Sequence, residues 1–208
     1  MSSAAIEQTI REAGLKPLTN DALMQFDAYL ALLLKWNSRL NLTAIREPAA
    51  ILRRHFVECI QCAQALPELP AASTLLDFGS GAGMPGIPIA ICRPEIQVTL
   101  AESQRKKTAF LREAVRSLGL SAEVFDGRVE EMPAERRFIM VTLRAVDKMK
   151  EASQIALARI APKGWLILFA THLTKLGLEG ALPEIDWQRE VPVFGLDQGL
   201  ILIGQRNQ

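Results

Sequence analysis

The chain has 208 residues, with 24 Lys+Arg against 23 Asp+Glu and a formal net charge of +1. Hydrophobic residues at 49% and charged residues at 23% exclude a disordered or collagen-like chain, and the length can bury a core without disulfide or metal staples. No stretch approaches the ~18 apolar residues of a membrane span, the start Met1-Ser-Ser-Ala-Ala lacks signal-peptide features, and three cysteines suit a reducing cytoplasm.

Taken in chain order, residues 1–70 predict a helical cap. Asp21 can cap a helix whose apolar residues Leu23, Phe26, Leu30, Leu33 and Leu34 recur at helical spacing. Pro48 opens a further helix, where its missing N–H costs nothing, and Ile51, Leu52, Phe56 and Ile60 supply its apolar stripe until Pro67 and Pro70. From residue 71 to 208 the texture changes. Strand-like runs at 74–78, 97–101, 122–125, 138–143 and 165–170 alternate with helical ones at 87–92, 106–118 and 148–160. That alternation predicts an α/β, doubly wound, mostly parallel Rossmann-like sheet. The runs 187–194 and 200–204 leave no room for a crossover helix and predict an antiparallel hairpin at the sheet edge, making seven strands.

The loop after the first strand, Asp77-Phe-Gly79-Ser-Gly81-Ala-Gly83-Met84-Pro-Gly86, is the richest stretch. Alternate glycines let the backbone turn tightly and approach a ligand beside a helix N-terminus. Two registers compete. Gly81-x-Gly83-x-x-Gly86 satisfies a dinucleotide fingerprint and would suit an NAD-type oxidoreductase. Asp77-x-Gly79-x-Gly81-x-Gly83 instead resembles motif I of S-adenosylmethionine-dependent methyltransferases. A carboxylate at Asp77 suits an ammonium-bearing ligand and would repel a pyrophosphate, which favours the second register. Glu102, ending the second strand, can accept both hydroxyls of a ribose in either case. Val129 and Glu130 follow the third strand, and Arg144 follows the fourth at the mouth of the sheet.

Two stretches are locally basic. Lys35, Arg39, Arg46, Arg53 and Arg54 face only Glu47, and Arg105, Lys106, Lys107, Arg112 and Arg116 face Glu102 and Glu113. They read either as solvated helix faces or as a limited surface for a phosphate-rich partner. Trp36 and Phe56 could stack on a base, although their helical spacing favours the core. His55, Cys59 and Cys62 share a helical spacing, but without a fourth ligand no metal site is expected.

Together these residues resemble the bacterial ribosomal RNA small subunit methyltransferase G family, also called glucose-inhibited division protein B. The similarity runs through Trp36-Asn37, Asn41-Leu42-Thr43, Arg54-His55, the whole of Asp77 to Pro88, Glu102-Ser103, Lys106 to Leu111, Arg128 to Glu131 and Arg144-Ala145. The resemblance implies methyl transfer from S-adenosyl-L-methionine to guanine N7 in a loop of 16S rRNA of the small ribosomal subunit, by a cytoplasmic monomer. It implies that Asp77, Gly79, Gly81, Gly83, Met84, Glu102, Ser103, Val129, Glu130 and Arg144 form the cofactor site. It places Arg54, His55 and Arg144 at the reacting centre, and Lys35, Arg39, Arg53, Arg54, Lys106 and Lys107 on the RNA. Two positions depart from the family pattern. Ala170-Thr171-His172 stands where Ala-Leu-Lys is common, so His172 or Lys175 would have to replace that lysine, and Glu58 stands where an Asp is common.

Overall fold

In a computed structural model that describes residues 3–70, 72–145 and 148–207, strand β1 (Thr74–Phe78) is an interior strand of a seven-stranded sheet ordered β3-β2-β1-β4-β5-β7-β6. Strands β2 (Gln97–Glu102), β3 (Ala122–Asp126), β4 (Phe138–Leu143) and β5 (Ile160–Thr171) are parallel to it. Strand β7 (Gly199–Arg206) inserts antiparallel between β5 and the edge strand β6 (Ile185–Pro192). Central strands covered on both faces need near-continuous apolar runs, as in Leu75-Leu76 and Met140-Val141. Alternation then sorts them. Leu75, Met140 and Ile167 enter the buried cluster on one face, and Leu76, Val141 and Leu168 the cluster on the other.

The first face is covered by α1 (Ser3–Glu12), α2 (Asn20–Leu40), α4 (Val57–Ala65), α5 (Gly86–Cys92) and α6 (Arg105–Ser117). Phe26, Tyr29 and Phe56 of the helical cap lie in the same cluster as Leu75, Leu100 and Phe110 of the sheet and its helices. Residue 71, where the core was expected to begin, lies outside the described residues. The second face is covered by α7 (Met149–Leu157) and α8 (His172–Glu179). Among the described residues, no helix is long and apolar enough to cross a membrane.

Three local expectations are corrected. Thr19, not Asp21, caps α2: its hydroxyl accepts from Ala22 N, while Asp21 sits in the first turn. The segment opened by Pro48 is not one uniform helix. A short helix α3 (Pro48–Ile51) passes into a π-helical turn, Leu52–Phe56, before α4. Helix α8 was not anticipated. Its leucines at 173 and 176 are 75% and 72% exposed, so no buried stripe marks it; Thr171 caps it by accepting from Thr174 N.

Tyr29 ties the cap to the glycine loop. Its buried hydroxyl donates to the carbonyl of Ala82 at 2.5 Å, and its ring stacks on Phe56 at 5.1 Å. Tyr29→Phe keeps the stack and leaves that buried carbonyl without its donor. A loss of about 1–3 kcal/mol is expected from urea unfolding; an unchanged midpoint would show that the bond carries no stability.

Candidate active site

The strand order reverses between β1 and β4, and such switch points leave a crevice at the carboxyl ends of the strands. The chain's glycine loop fills this edge. Gly79, Gly81 and Gly83 have φ of 70°, 56° and 86°, which is why three glycines alternate there. The loop is braced by Ser80 N donating to Ala101 O at 2.9 Å and by the Ser80 hydroxyl donating to Asp77 O at 3.0 Å.

Asp77 does not face the crevice. It is 1% exposed; Oδ1 accepts from the Thr142 hydroxyl at 2.9 Å and Oδ2 from Gly86 N at 3.1 Å. Burial raises its carboxyl to about 6, against the lowering effect of these hydrogen bonds. Of the two ways in which Asp77 was expected to attract an ammonium group, directly or through water, burial removes direct contact, and its bonds to Gly86 N and Thr142 brace the loop from beneath. The same bond commits Gly86 N to Asp77, so the Gly81-x-Gly83-x-x-Gly86 register cannot offer that amide to a pyrophosphate. Gly83 and Met84 are likewise buried under the loop.

Beside the exposed Gly79 lies a crevice of about 270 Å³, lined by Gly79, Glu102, Ser103, Arg128, Val129, Glu130 and Ile155. Glu102 Oε2 accepts from Gly81 N at 3.0 Å and Oε1 from Gln104 N at 2.8 Å. A carboxylate offers about four lone-pair positions, so each oxygen retains one for a ligand hydroxyl. The segment after β3 is braced by Arg159, a buried residue outside the sequence expectations, whose guanidinium donates to Pro133 O at 2.7 Å, Met132 O at 2.9 Å and Glu130 O at 3.4 Å.

A second cavity, of about 390 Å³, opens at the ends of β4 and β5 and is lined by Arg54, His55, Glu58, Arg144, Phe169, Thr171, Thr174 and Gln198. Phe78 of β1 and Leu143 of β4 are register partners, so Gly79 and Arg144 leave adjacent strands and the two cavities flank them. Arg144 is clamped. Its Nη2 and Nε donate to Glu58 Oε2 at 2.7 and 3.2 Å, and its guanidinium lies 5.8 Å from the centre of the Phe169 ring. Nη2 also lies 2.8 Å from His55 Nδ1. A guanidinium only donates, so Nδ1 must accept and the proton sits on Nε2, which donates to Thr43 Oγ1 at 2.8 Å. In that tautomer the Arg54 carbonyl, 3.2 Å from Nδ1, is not a partner. Burial and the neighbouring Arg144 lower His55 to about 4, so the ring is neutral at physiological pH.

Residues 22–179 match the family model of GidB, rRNA small subunit methyltransferase G. The chain belongs to the GidB family. A relative from Chromobacterium violaceum named ribosomal RNA small subunit methyltransferase G is 38% identical over 79% of this chain and 77% of its own length. One from Stenotrophomonas maltophilia with the same name is 39% identical over 79% and 75%. Among solved structures, a putative O-methyltransferase from Klebsiella pneumoniae superposes with a TM-score of 0.62 at 16% identity, over 99% of this chain and 97% of that one. TYW2 from P. horikoshii, solved in complex with MeSAdo, gives 0.61 at 12% identity over 74% of this chain and 63% of that one. At such identities these two establish the methyltransferase fold.

The remaining positions of this GidB-family chain divide by location. Arg53 and Arg54 are exposed on the π turn, while Lys106, exposed, and Lys107, half-buried, open α6 beside Ser103. Lys35 and Arg39 lie on α2 and line neither of the two cavities. Of the two candidates for the family lysine, His172 is exposed and Lys175 is ion-paired to Glu190; neither lines the Arg144 cavity, where Thr171 and Thr174 stand. Cys59 and Cys62 are fully buried, and burial pushes both thiols up. His55 is turned to Thr43 and Arg144 instead. Among the described residues, no group of three or more His, Cys, Asp or Glu side chains could hold a metal ion. Glu58, Thr43 and Phe169 were not among the expected site residues. Glu58 and Thr43 had a signal only in the resemblance, where Glu58 stands for a common Asp and Thr43 belongs to Asn41-Leu42-Thr43.

Proposed function

We propose that this protein transfers a methyl group from S-adenosylmethionine to N7 of a guanine in 16S rRNA of the small ribosomal subunit, acting as a monomer. The observation that carries this reading is the pair of cavities flanking Gly79 and Arg144, one built for a nucleoside and the other for a planar polar ring. The residues present fit the cofactor. Glu102 has lone pairs free for ribose hydroxyls, Val129 and Ile155 offer apolar walls to a flat base, and exposed Gly79 permits close backbone approach. When bound, S-adenosylmethionine supplies an electrophilic methyl group on a cationic sulfonium.

The chain's own residues then have a limited task. Guanine N7 presents a free in-plane lone pair, so nothing has to remove a proton from it. A neutral His55 that orients Arg144 fits that requirement. With Nε and Nη2 held by Glu58 and His55, Arg144 keeps Nη1 without a protein acceptor among the described residues. Nη1 can donate to guanine O6, next to N7, and so fix the base edge that reacts. Glu58 cancels the charge of Arg144, which would otherwise repel a sulfonium cation. Phe169 supplies an apolar surface for the base.

The test uses small ribosomal subunits from cells lacking this activity. Wild-type protein with S-adenosylmethionine should place 7-methylguanosine in 16S rRNA, read by mass spectrometry. Glu102→Gln should weaken cofactor binding in calorimetry at least tenfold with an unchanged circular dichroism spectrum. Absence of methylation by the wild type would sink the reading; unchanged affinity of the variant would remove Glu102 from the site.

A further inference from the structure

Trp36 and Phe56 part company in the structure. Phe56 is fully buried, whereas Trp36 is half-buried and lines a surface pocket of about 170 Å³ with Lys35, Arg39, Leu40 and Glu113. Its indole is fixed from two sides. The ring stands edge-on to Phe110 with centroids 5.9 Å apart, and Nε1 donates to Glu113 Oε2 at 3.2 Å. A cavity of ~150 Å³ admits a benzene-sized ring, so the pocket has room for one flat heterocycle. The cations around it are available to solvent. The Lys35 side chain is 66% exposed at 3.8 Å from Glu113, and Arg39 is exposed in the last turn of α2.

The pocket also lies in line with the active site. Helices α2 and α6 run antiparallel, since Gln25 reaches Leu118 O while Trp36 reaches Glu113. The carboxyl-terminal part of α2 therefore packs beside the middle of α6, which follows Glu102 and Ser103 and carries Lys106 and Lys107 in its first turn. From Lys106 to Glu113, seven residues apart and so on one face, α6 advances about 10 Å at 1.5 Å per residue, which sets the pocket along the helix from the crevice.

We infer that this pocket is a second nucleotide subsite, which takes an unpaired base of the RNA strand flanking the methylated guanine. The base packs on Trp36, its phosphate meets Arg39 and Lys35, and Glu113 favours a base that presents an N–H. Stacking on an aromatic ring with cations along the backbone is how single-stranded RNA is held. The inference rests on the rRNA reading above and assigns that substrate a second point of contact.

Two measurements test it. With small subunits lacking the methyl group as substrate, Trp36→Leu and Arg39→Gln should each raise KM about tenfold and leave kcat and the calorimetric affinity for S-adenosylmethionine unchanged. In a Trp165→Phe/Trp187→Phe background, where Trp36 is the sole tryptophan, its fluorescence should be quenched saturably by a short single-stranded oligoribonucleotide. Arg39→Gln should shift that titration to higher RNA concentration. If Trp36→Leu fails to fold, the Arg39 variant and the quenching titration carry the test. Unchanged KM in Arg39→Gln together with no quenching by RNA, while the wild type still methylates subunits, overturns the subsite and spares the rRNA reading. Quenching by intact subunits but not by protein-free RNA overturns it in favour of a ribosomal protein segment. No methylation of subunits by the wild type overturns the rRNA reading itself.

Discussion

Arg144→Met should lower methyl transfer at least ~100-fold and cost about 3 kcal/mol of stability, the size expected when one partner of a buried ion pair is removed. The pair is well enclosed, with the Arg144 and Glu58 side chains only 15% and 10% exposed. The loss of stability comes mainly from Glu58, left charged and without its guanidinium. Arg144→Met combined with Glu58→Leu should therefore regain most of the stability in urea unfolding and none of the activity. Restoration of activity in the double variant would mean that Arg144 serves only to neutralise Glu58, and its role toward guanine would be wrong.

Gly86→Ala should damage both the glycine loop and cofactor binding. A Cβ there would collide with Leu100 Cδ2 and approach Asp77 Oδ2 to 2.7 Å and Asp77 Cβ to 2.9 Å. The helix α5 would have to move off β1 and β2, at about 1–3 kcal/mol for overpacking. Asp77 would lose its hold on Gly86 N, and affinity for S-adenosylmethionine should fall at least tenfold in calorimetry. Gly119→Ala is the control. Gly119 has φ +63° but open space around it, so it should cost about 1 kcal/mol of backbone strain and leave cofactor affinity unchanged. Equal affinity in wild type and Gly86→Ala would show that Asp77 does not shape the cofactor loop.

Both variants probe contacts that differ in how far they could be read along the chain. Strands β1 and β4 coincide with the apolar runs expected at 74–78 and 138–143, because a strand buried on both faces must be apolar throughout and is bounded by turn residues. The glycine loop was legible for a related reason. A backbone that repeatedly takes positive φ admits little but glycine, so conformation is written directly into residue type. The π turn was not legible: Arg53-Arg54-His55 contains no proline or glycine, and an ordinary helix would serve the same residues. Helix α8 escaped because its leucines at 173 and 176 point to solvent.

The near-neutral total charge of +1 and the two basic stretches were properties of the sequence, and so were the parallel sheet, its carboxyl-end crevice and the acid at Glu102. These follow from local rules, in which a residue's neighbours a few positions away decide its conformation and its company. Tertiary structure decided the rest. It joined Glu58 to Arg144 across 86 positions and Tyr29 to Ala82 across 53. It turned Asp77 inward and separated Trp36 from Phe56. Such pairings depend on which elements pack together and at what register, and a carboxylate, a guanidinium or an indole carries no mark of its eventual partner until the chain has folded.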